Sequence, residues 1–162
     1  RSKNQVFKST KQLIIMPTAK AKDKLIFFSP PLHSSGCSPL VGEKVQAGFP
    51  SPADDYIEEQ LDLNKYCISN PPATFFVRVE GDSMVDAGIN KGDLLVVDRS
   101  QEVSSNDIVI AVLDGEFTLK RLISRNDHVF LCPENPKYSP IELTEDMEFE
   151  IWGKVTKVIH DL

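Results

Sequence analysis

From Pro72 onward the chain alternates short apolar runs with turn residues. Thr74-Phe75-Phe76-Val77-Arg78-Val79-Glu80 and Asp93-Leu94-Leu95-Val96-Val97-Asp98 are dominated by aromatic and branched side chains, which predicts strands. The next two runs, Ile108 to Leu113 and Glu116 to Leu122, flank Asp114-Gly115, a strong hairpin signal because both turn positions favour residues that tolerate positive φ. His128 to Leu131 follows, and then a long run from Phe149 to Ile159 interrupted by Gly153, where a bend or bulge is expected. Strands at this spacing with little helix predict a mainly-β domain, a small and mostly antiparallel fold.

Upstream the texture differs. Arg1 to about Gln46 is rich in Lys, Ser and Pro, with two apolar runs, Leu13-Ile14-Ile15 and Leu25-Ile26-Phe27-Phe28, as candidate short strands. Ser29-Pro30-Pro31-Leu32-His33-Ser34-Ser35-Gly36 reads as linker, because proline and glycine break regular structure and nothing apolar repeats there. Beyond Phe49-Pro50-Ser51-Pro52, the segment Ala53 to Leu63 sets Tyr56, Ile57, Leu61 and Leu63 near helical spacing with acids opposite, which predicts one short helix. No internal repeat is evident.

At 162 residues and 41% hydrophobic content the chain supports one proper core, so one folded domain with an extended N-terminal arm is expected. Three cysteines, Cys37, Cys67 and Cys132, at no metal-like spacing, with only three histidines to join them, argue against a zinc site or a disulfide framework. No metal or cofactor is expected. No apolar run approaches the roughly 20 residues of a membrane span, and no signal-peptide order opens the chain. A reduced, cytoplasmic protein without a membrane anchor is the expectation, and a start at Arg1 rather than Met suggests a longer native protein.

The segment with most chemical content is Glu80-Gly81-Asp82-Ser83-Met84-Val85-Asp86-Ala87-Gly88-Ile89. It leaves a strand, is expected to turn at Gly81, and presents a serine before an apolar residue. Glycine permits positive φ and close backbone approach, so the Ser83 hydroxyl is expected exposed above the sheet with its own N–H turned into a reaction site.

A serine hydroxyl is a poor nucleophile at neutral pH without a base. His33 lies in the linker, His160 near the end and His128 amid a polar turn, so the better candidate is Lys120 in Glu116-Phe117-Thr118-Leu119-Lys120-Arg121-Leu122. Alternate strand residues face opposite ways: Lys120 goes with Thr118 and Leu122, Arg121 with Phe117 and Leu119, and one of the two cations points inward. A lysine desolvated among apolar neighbours gives up its proton more readily, and the neutral amine can take the serine proton. Arginine cannot serve in this way.

Five segments, in this order and spacing, make residues 45–162 resemble the self-cleaving UmuD and LexA-type repressor family: Val45-Gln46-Ala47-Gly48-Phe49-Pro50-Ser51-Pro52, Gly81-Asp82-Ser83-Met84, Gly92-Asp93-Leu94-Leu95-Val96-Val97-Asp98, Asp107-Ile108-Val109-Ile110-Ala111 and Asp114-Gly115-Glu116-Phe117-Thr118-Leu119-Lys120. The resemblance is closest to UmuD. It implies Ser83 as nucleophile, Lys120 as neutral-amine base, Ala47-Gly48 as the scissile bond, and an oxyanion hole from backbone N–H groups near Asp82 and Ser83. It also implies a small β-rich fold, a homodimer, and cleavage stimulated by RecA filaments on single-stranded DNA. About 44 residues precede the matching segment, more than in an ordinary UmuD, and in this the chain resembles the longer UmuD-like proteins of Acinetobacter, which look more like transcriptional regulators. Ala47 stands where UmuD typically has cysteine, giving the Ala-Gly bond more usual in LexA.

The residues around the implied cut suit it, being a small pair within an extended, proline-flanked stretch able to thread a narrow cleft. Division there gives a basic arm, 1–47, with eight Lys/Arg against two Asp/Glu, and an acidic peptidase and dimerisation domain, 48–162, with ten against twenty-two. The arm's charge leaves three roles open: lying on the body, helping to hold nucleic acid, or plain solvation.

Two functions follow from the resemblance. One is a regulator of the SOS DNA-damage response that controls transcription, with operator DNA bound through a missing N-terminus or a corepressor. The other is an accessory subunit of an error-prone lesion-bypass polymerase of the UmuC type, activated by the same cut. A signal peptidase would share the Ser–Lys chemistry, but the chain shows no membrane anchor. No helix-turn-helix is recognisable within residues 1–47.

Overall fold

The computed structural model describes residues 26–28, 37–41 and 57–162. Among the described residues ten strands occur in chain order: β1 (Ile26–Phe28), β2 (Cys37–Val41), β3 (Ile57–Asp62), β4 (Thr74–Arg78), β5 (Leu94–Asp98), β6 (Ile108–Leu113), β7 (Glu116–Arg125), β8 (His128–Cys132), β9 (Ile141–Leu143) and β10 (Phe149–Ile159). One short helix, α1 (Leu63–Cys67), follows β3. The expected mostly antiparallel β-fold is the one observed. Eight strands form one sheet in the order β1-β4-β5-β10-β6-β7-β8-β9, while β2 and β3 pair separately. The described residues divide into two compact units, with β1 and residues 70–162 in one and β2, β3 and α1 in the other.

In the smaller unit the expected helix over 53–63 is corrected: residues 57–62 are strand β3, and the helix begins only at Leu63. Ile57 and Leu61 are four apart, and an offset of four keeps two residues on one side of a helix and of a strand alike, so their spacing does not distinguish the two. Pairing decides, because β3 lies antiparallel to β2 with Cys37 opposite Asp62 and Val41 opposite Ile57. Asp62 then starts α1 by accepting from the Asn64 and Lys65 N–H groups at 2.9 and 3.3 Å, an N-cap that satisfies otherwise orphaned donors. Residues 53–56, Leu13-Ile14-Ile15, the linker 29–36 and the cut Ala47-Gly48 lie outside the described residues.

In the larger unit the strand expectations hold with small shifts of boundary. The run at 25–28 contains β1, which extends the sheet beyond β4 with Ile26 opposite Arg78 and Phe28 opposite Phe76. Asp114 and Gly115 both take positive φ, 49° and 80°, and join β6 to β7 so that Leu113 faces Glu116. A second two-residue turn, Asn126-Asp127 at φ 51° and 64°, joins β7 to β8, so His128 opens a strand rather than sitting within a turn. Strand β9 was not expected from its pattern, because a polar, proline-rich approach obscures its three residues.

Both faces of this sheet are covered. Along β6, Ile110 belongs to one core and Val109 and Ala111 to a second; along β10, Trp152 and Ile151 divide in the same order. Neighbouring strand residues point to opposite faces, so the two cores lie on opposite sides of the sheet. In the first, Trp152 packs against Phe75 and Phe117 at ring-centroid distances of 5.1 and 5.8 Å. Arg99 covers that indole at 4.8 Å and donates to the Trp152 carbonyl at 3.1 Å.

The irregularity expected at Gly153 is present as a register shift between Ile151 and Gly153 in the β10–β6 pairing. A side chain there has no room: a Cβ would stand 2.6 Å from Val97 Cγ1 and 3.3 Å from Arg99 Cγ. Val97 is fully buried and branched at Cβ, so it has little freedom to yield. Gly153→Ala is therefore expected to destabilise the domain by about 1–3 kcal/mol through overpacking. Urea unfolding checks this as a lower midpoint with an unchanged slope.

Candidate functional site

Between β4 and β5 the chain makes a loop closed at its base by two backbone hydrogen bonds, Val79 N–H to Asp93 O and Gly92 N–H to Val79 O, both 2.9 Å. Asp93 tightens the return by accepting from the Asn90 N–H at 2.7 Å. Within the loop, a turn at Ser83-Met84 leads into a single 3-10 turn, Val85–Ala87, which ends at Gly88 in the left-handed region with φ 75°. Met84 and Ile89 are each 1% exposed in the first core and pin the segment at two points. Ser83 is drawn down with them and is 5% exposed. The expectation of an exposed hydroxyl on a turn at Gly81 is thus corrected: the positive-φ glycine of this segment is Gly88, and apolar anchoring at Met84 buries the serine.

Lys120 arrives from the other side of the sequence by register. On β7 it lies opposite Val109 of β6, and it shares a strand face with Leu122; both of these residues are wholly buried. Lys120 is itself only 6% exposed, whereas its neighbour Arg121 is half-buried, forms an ion pair with Glu134, and donates to the Asn106 carbonyl at 2.7 Å. Of the two adjacent cations, the deprotonatable one is the one turned inward.

The two candidate residues meet. Lys120 Nζ donates to Ser83 Oγ at 3.1 Å and to the Leu119 carbonyl at 3.0 Å, while Ser83 Oγ makes a longer contact of 3.5 Å to the same carbonyl. An amine within hydrogen-bond distance of a hydroxyl, both shielded from water, is an arrangement able to move a proton from oxygen to nitrogen once the amine is neutral. Burial favours that neutral form. The described histidines are occupied elsewhere: His128 Nδ1 contacts Glu142, and His160 Nδ1 contacts Asp93 at 2.6 Å.

A segment that the sequence reading did not single out holds the serine turn in place. The Glu134 N–H donates to the Ser83 carbonyl and the Asp86 N–H to the Glu134 carbonyl, each at 2.8 Å. Asn135 Nδ2 donates to the Asp82 carbonyl at 2.7 Å. Tyr138 donates its hydroxyl to the Asp82 carboxylate, and Lys137 stands 3.5 Å from that group. The Tyr138 hydroxyl holds the Asp82 carboxyl below its ordinary value, with Lys137 and the residue's own backbone N–H adding to this and desolvation opposing it. Asp82 thus stays ionised at neutral and alkaline pH. The one signal in the sequence was the run Pro133-Glu134-Asn135-Pro136-Lys137-Tyr138, whose turn residues mark a loop without saying what it touches.

Cys132, next to this segment, makes a poor competing nucleophile. Desolvation, and then the Glu134 carboxylate, raise its thiol above the ordinary value. Among the described residues no cluster of three or more His, Cys, Asp and Glu side chains is placed to hold a metal ion, and no helix is long and apolar enough to cross a membrane.

Residues 39–156 match the family described as Peptidase S24-like. Protein SamA of Salmonella typhimurium is 54% identical over 123 residues, which is 76% of this chain and 85% of that one. Protein MucA of Escherichia coli is 45% identical over 130 residues, 76% of this chain and 88% of that one. LexA repressor 2 of Geobacter sulfurreducens is 41% identical over 122 residues, covering 74% of this chain and 58% of that protein.

Holding an amine among apolar side chains opposes folding whenever the amine is charged, and an unbranched apolar side chain of similar length removes that cost. Lys120→Met is expected to leave stability unchanged or to raise it by up to about 2 kcal/mol. Chemical unfolding of the two proteins at neutral pH makes the comparison.

Proposed function

The chain belongs to the Peptidase S24-like family, in its UmuD/LexA-type branch, and from that premise we propose that it is a serine peptidase that cuts its own backbone between Ala47 and Gly48. The observation that supports the reading best is the 3.1 Å contact between Lys120 Nζ and Ser83 Oγ at two buried side chains. With Lys120 neutral, its amine accepts the Ser83 proton as Oγ attacks the Ala47 carbonyl carbon. The negative oxygen that forms is met by backbone N–H groups of the serine turn, that of Ser83 foremost and that of Asp82 beside it. Collapse of the tetrahedral intermediate breaks the bond to Gly48, whose nitrogen takes the proton from Lys120. Water, deprotonated by the same amine, then attacks the Ser83 ester; the bond to Oγ breaks, Lys120 returns the proton to Oγ, and Ala47 leaves as a free carboxylate.

The cut divides a basic arm, 1–47, from an acidic domain, 48–162. Because the substrate is part of the chain, its effective concentration is high in any conformation that reaches the serine, so the rate follows how often the arm docks. We assign this as a cytoplasmic, homodimeric regulator of the SOS response, in which RecA filaments on single-stranded DNA bias docking and the cut changes transcription of damage-inducible genes. The likeness to a LexA repressor and the basic arm support that role. The second reading, an accessory subunit of an error-prone lesion-bypass polymerase, is favoured by the higher identity and fuller coverage of the UmuD-like relatives SamA and MucA. Capture of a UmuC-like polymerase by residues 48–162, without operator binding by the intact protein, selects the second reading; operator binding lost on cleavage selects the first.

Incubation of the purified protein at alkaline pH is expected to yield a fragment of residues 48–162, read by mass. Ser83→Ala and Lys120→Ala yield none. A lysine loses charge as pH rises, so the rate climbs about tenfold per pH unit and levels off once Lys120 is neutral. Full-length protein throughout, in parent and variants alike, contradicts the assignment.

A further inference from the structure

Asn135 is 7% exposed, lies in a loop, and has both ends of its side-chain amide committed. Its Oδ1 accepts from the Lys137 N–H at 3.0 Å, a local turn that orients the group, and its Nδ2 donates to the Asp82 carbonyl at 2.7 Å across 53 residues of sequence. A second, weaker contact of 3.4 Å reaches the Asp82 carboxylate. The Asn135 carbonyl accepts from the Tyr138 N–H at 3.1 Å, which fixes the backbone carrying the side chain.

The Asp82 carbonyl and the Ser83 N–H belong to one peptide unit, and the described chain has no cis peptide bonds. A trans peptide is planar, with its C=O and N–H pointing in opposite directions, so a bond that fixes the oxygen also fixes the hydrogen. Among the described residues the Ser83 N–H donates to no other group. The adjoining Ser83 carbonyl is fixed as well, by the Glu134 N–H. The two peptides flanking the serine are therefore each tied down at their oxygen, one by a side chain and one by backbone.

We propose that Asn135 is a positioning residue for oxyanion stabilisation: by holding the Asp82 carbonyl it aims the Ser83 N–H at the oxygen that becomes negative during attack. Donation into the carbonyl also polarises the peptide and strengthens its N–H as a donor. Aspartate at this position keeps the acceptor for the Lys137 N–H, but its carboxylate has nothing to donate to the Asp82 oxygen. Asparagine supplies both functions at this length.

This inference rests on the self-cleavage reading, and the test separates the two. Self-cleavage of the full chain is followed across the alkaline range in the parent, Asn135→Ala and Asn135→Asp, with melting temperatures taken alongside. Loss of correct aim at one oxyanion donor is expected to lower the plateau rate by about 10- to 100-fold in both variants. In Asn135→Ala the pH midpoint stays at the parent value, because the base is untouched. A role confined to the local turn predicts the opposite for Asn135→Asp, which retains the turn's acceptor and would cut at the parental rate; that result overturns the proposal. So does a plateau loss in Asn135→Ala that comes with a displaced midpoint. If Asn135→Ala fails to fold, Asn135→Asp carries the test. A parent that never cuts overturns the self-cleavage reading and this inference together.

Discussion

The contact between Lys120 Nζ and Ser83 Oγ is the constraint around which the larger unit is organised. An ammonium group prefers water by many kcal/mol over an apolar interior, so a lysine does not settle at 6% exposure unless the surrounding strands leave its side chain nowhere else to go. Here Val109 opposite and Leu122 along the strand occupy that face, and the Ser83 hydroxyl and Leu119 carbonyl supply the polar contacts at its end. The same features that make the site costly make it chemically useful, because a dry environment favours the neutral amine that a general base requires. Stability given up at one buried polar group is a common signature of function.

Register is what brings that lysine to its place. The two-residue turn at Asp114-Gly115 sets the pairing of β6 with β7, placing Val109 opposite Lys120 and Ile110 opposite Leu119. A slip of one residue would reverse every side chain on β7 and bury Arg121, which has no accessible neutral form. The turn, remote from the serine, thus selects which of two adjacent cations meets it. Ser83 is delivered by a different device, apolar anchors at Met84 and Ile89 with a left-handed glycine between them.

Much of this was legible in the sequence and some was not, for identifiable reasons. The β6–β7 hairpin and the bulge at Gly153 follow from local backbone chemistry, and local chemistry is written in adjacent residues. The strand at 57–62 carries a pattern that also suits a helix, because Ile57 and Leu61 satisfy both periods and the partner strand that decides between them lies more than fifteen residues upstream. Ser83 and Lys120 stood out by residue type and neighbours, but the alternation along β7 left Lys120 and Arg121 equivalent, since both faces of the sheet carry a core. The segment Glu134–Tyr138 gave no sign of its role. Its bonds to residues 82–86 span about fifty positions, and nothing local in a proline-rich turn announces a distant partner.

The arrangement also bears on where control of the proposed cut can reside. The hydroxyl and amine are already in contact, and the turn that carries the serine is fixed by bonds from Glu134 and Asn135, so little of the geometry that the proposed cut requires remains to be formed. With the chemical step preset, the observed rate is the product of that step and the fraction of molecules whose cleavage segment is docked. A ligand raises this fraction only by binding the docked form more tightly, and a hundredfold acceleration requires about 2.7 kcal/mol of such preference. Raising the pH acts on the other factor, the share of neutral Lys120, and leaves docking alone. The two kinds of stimulus should therefore multiply rather than substitute for each other, until the docked fraction approaches one and such a ligand has nothing further to add.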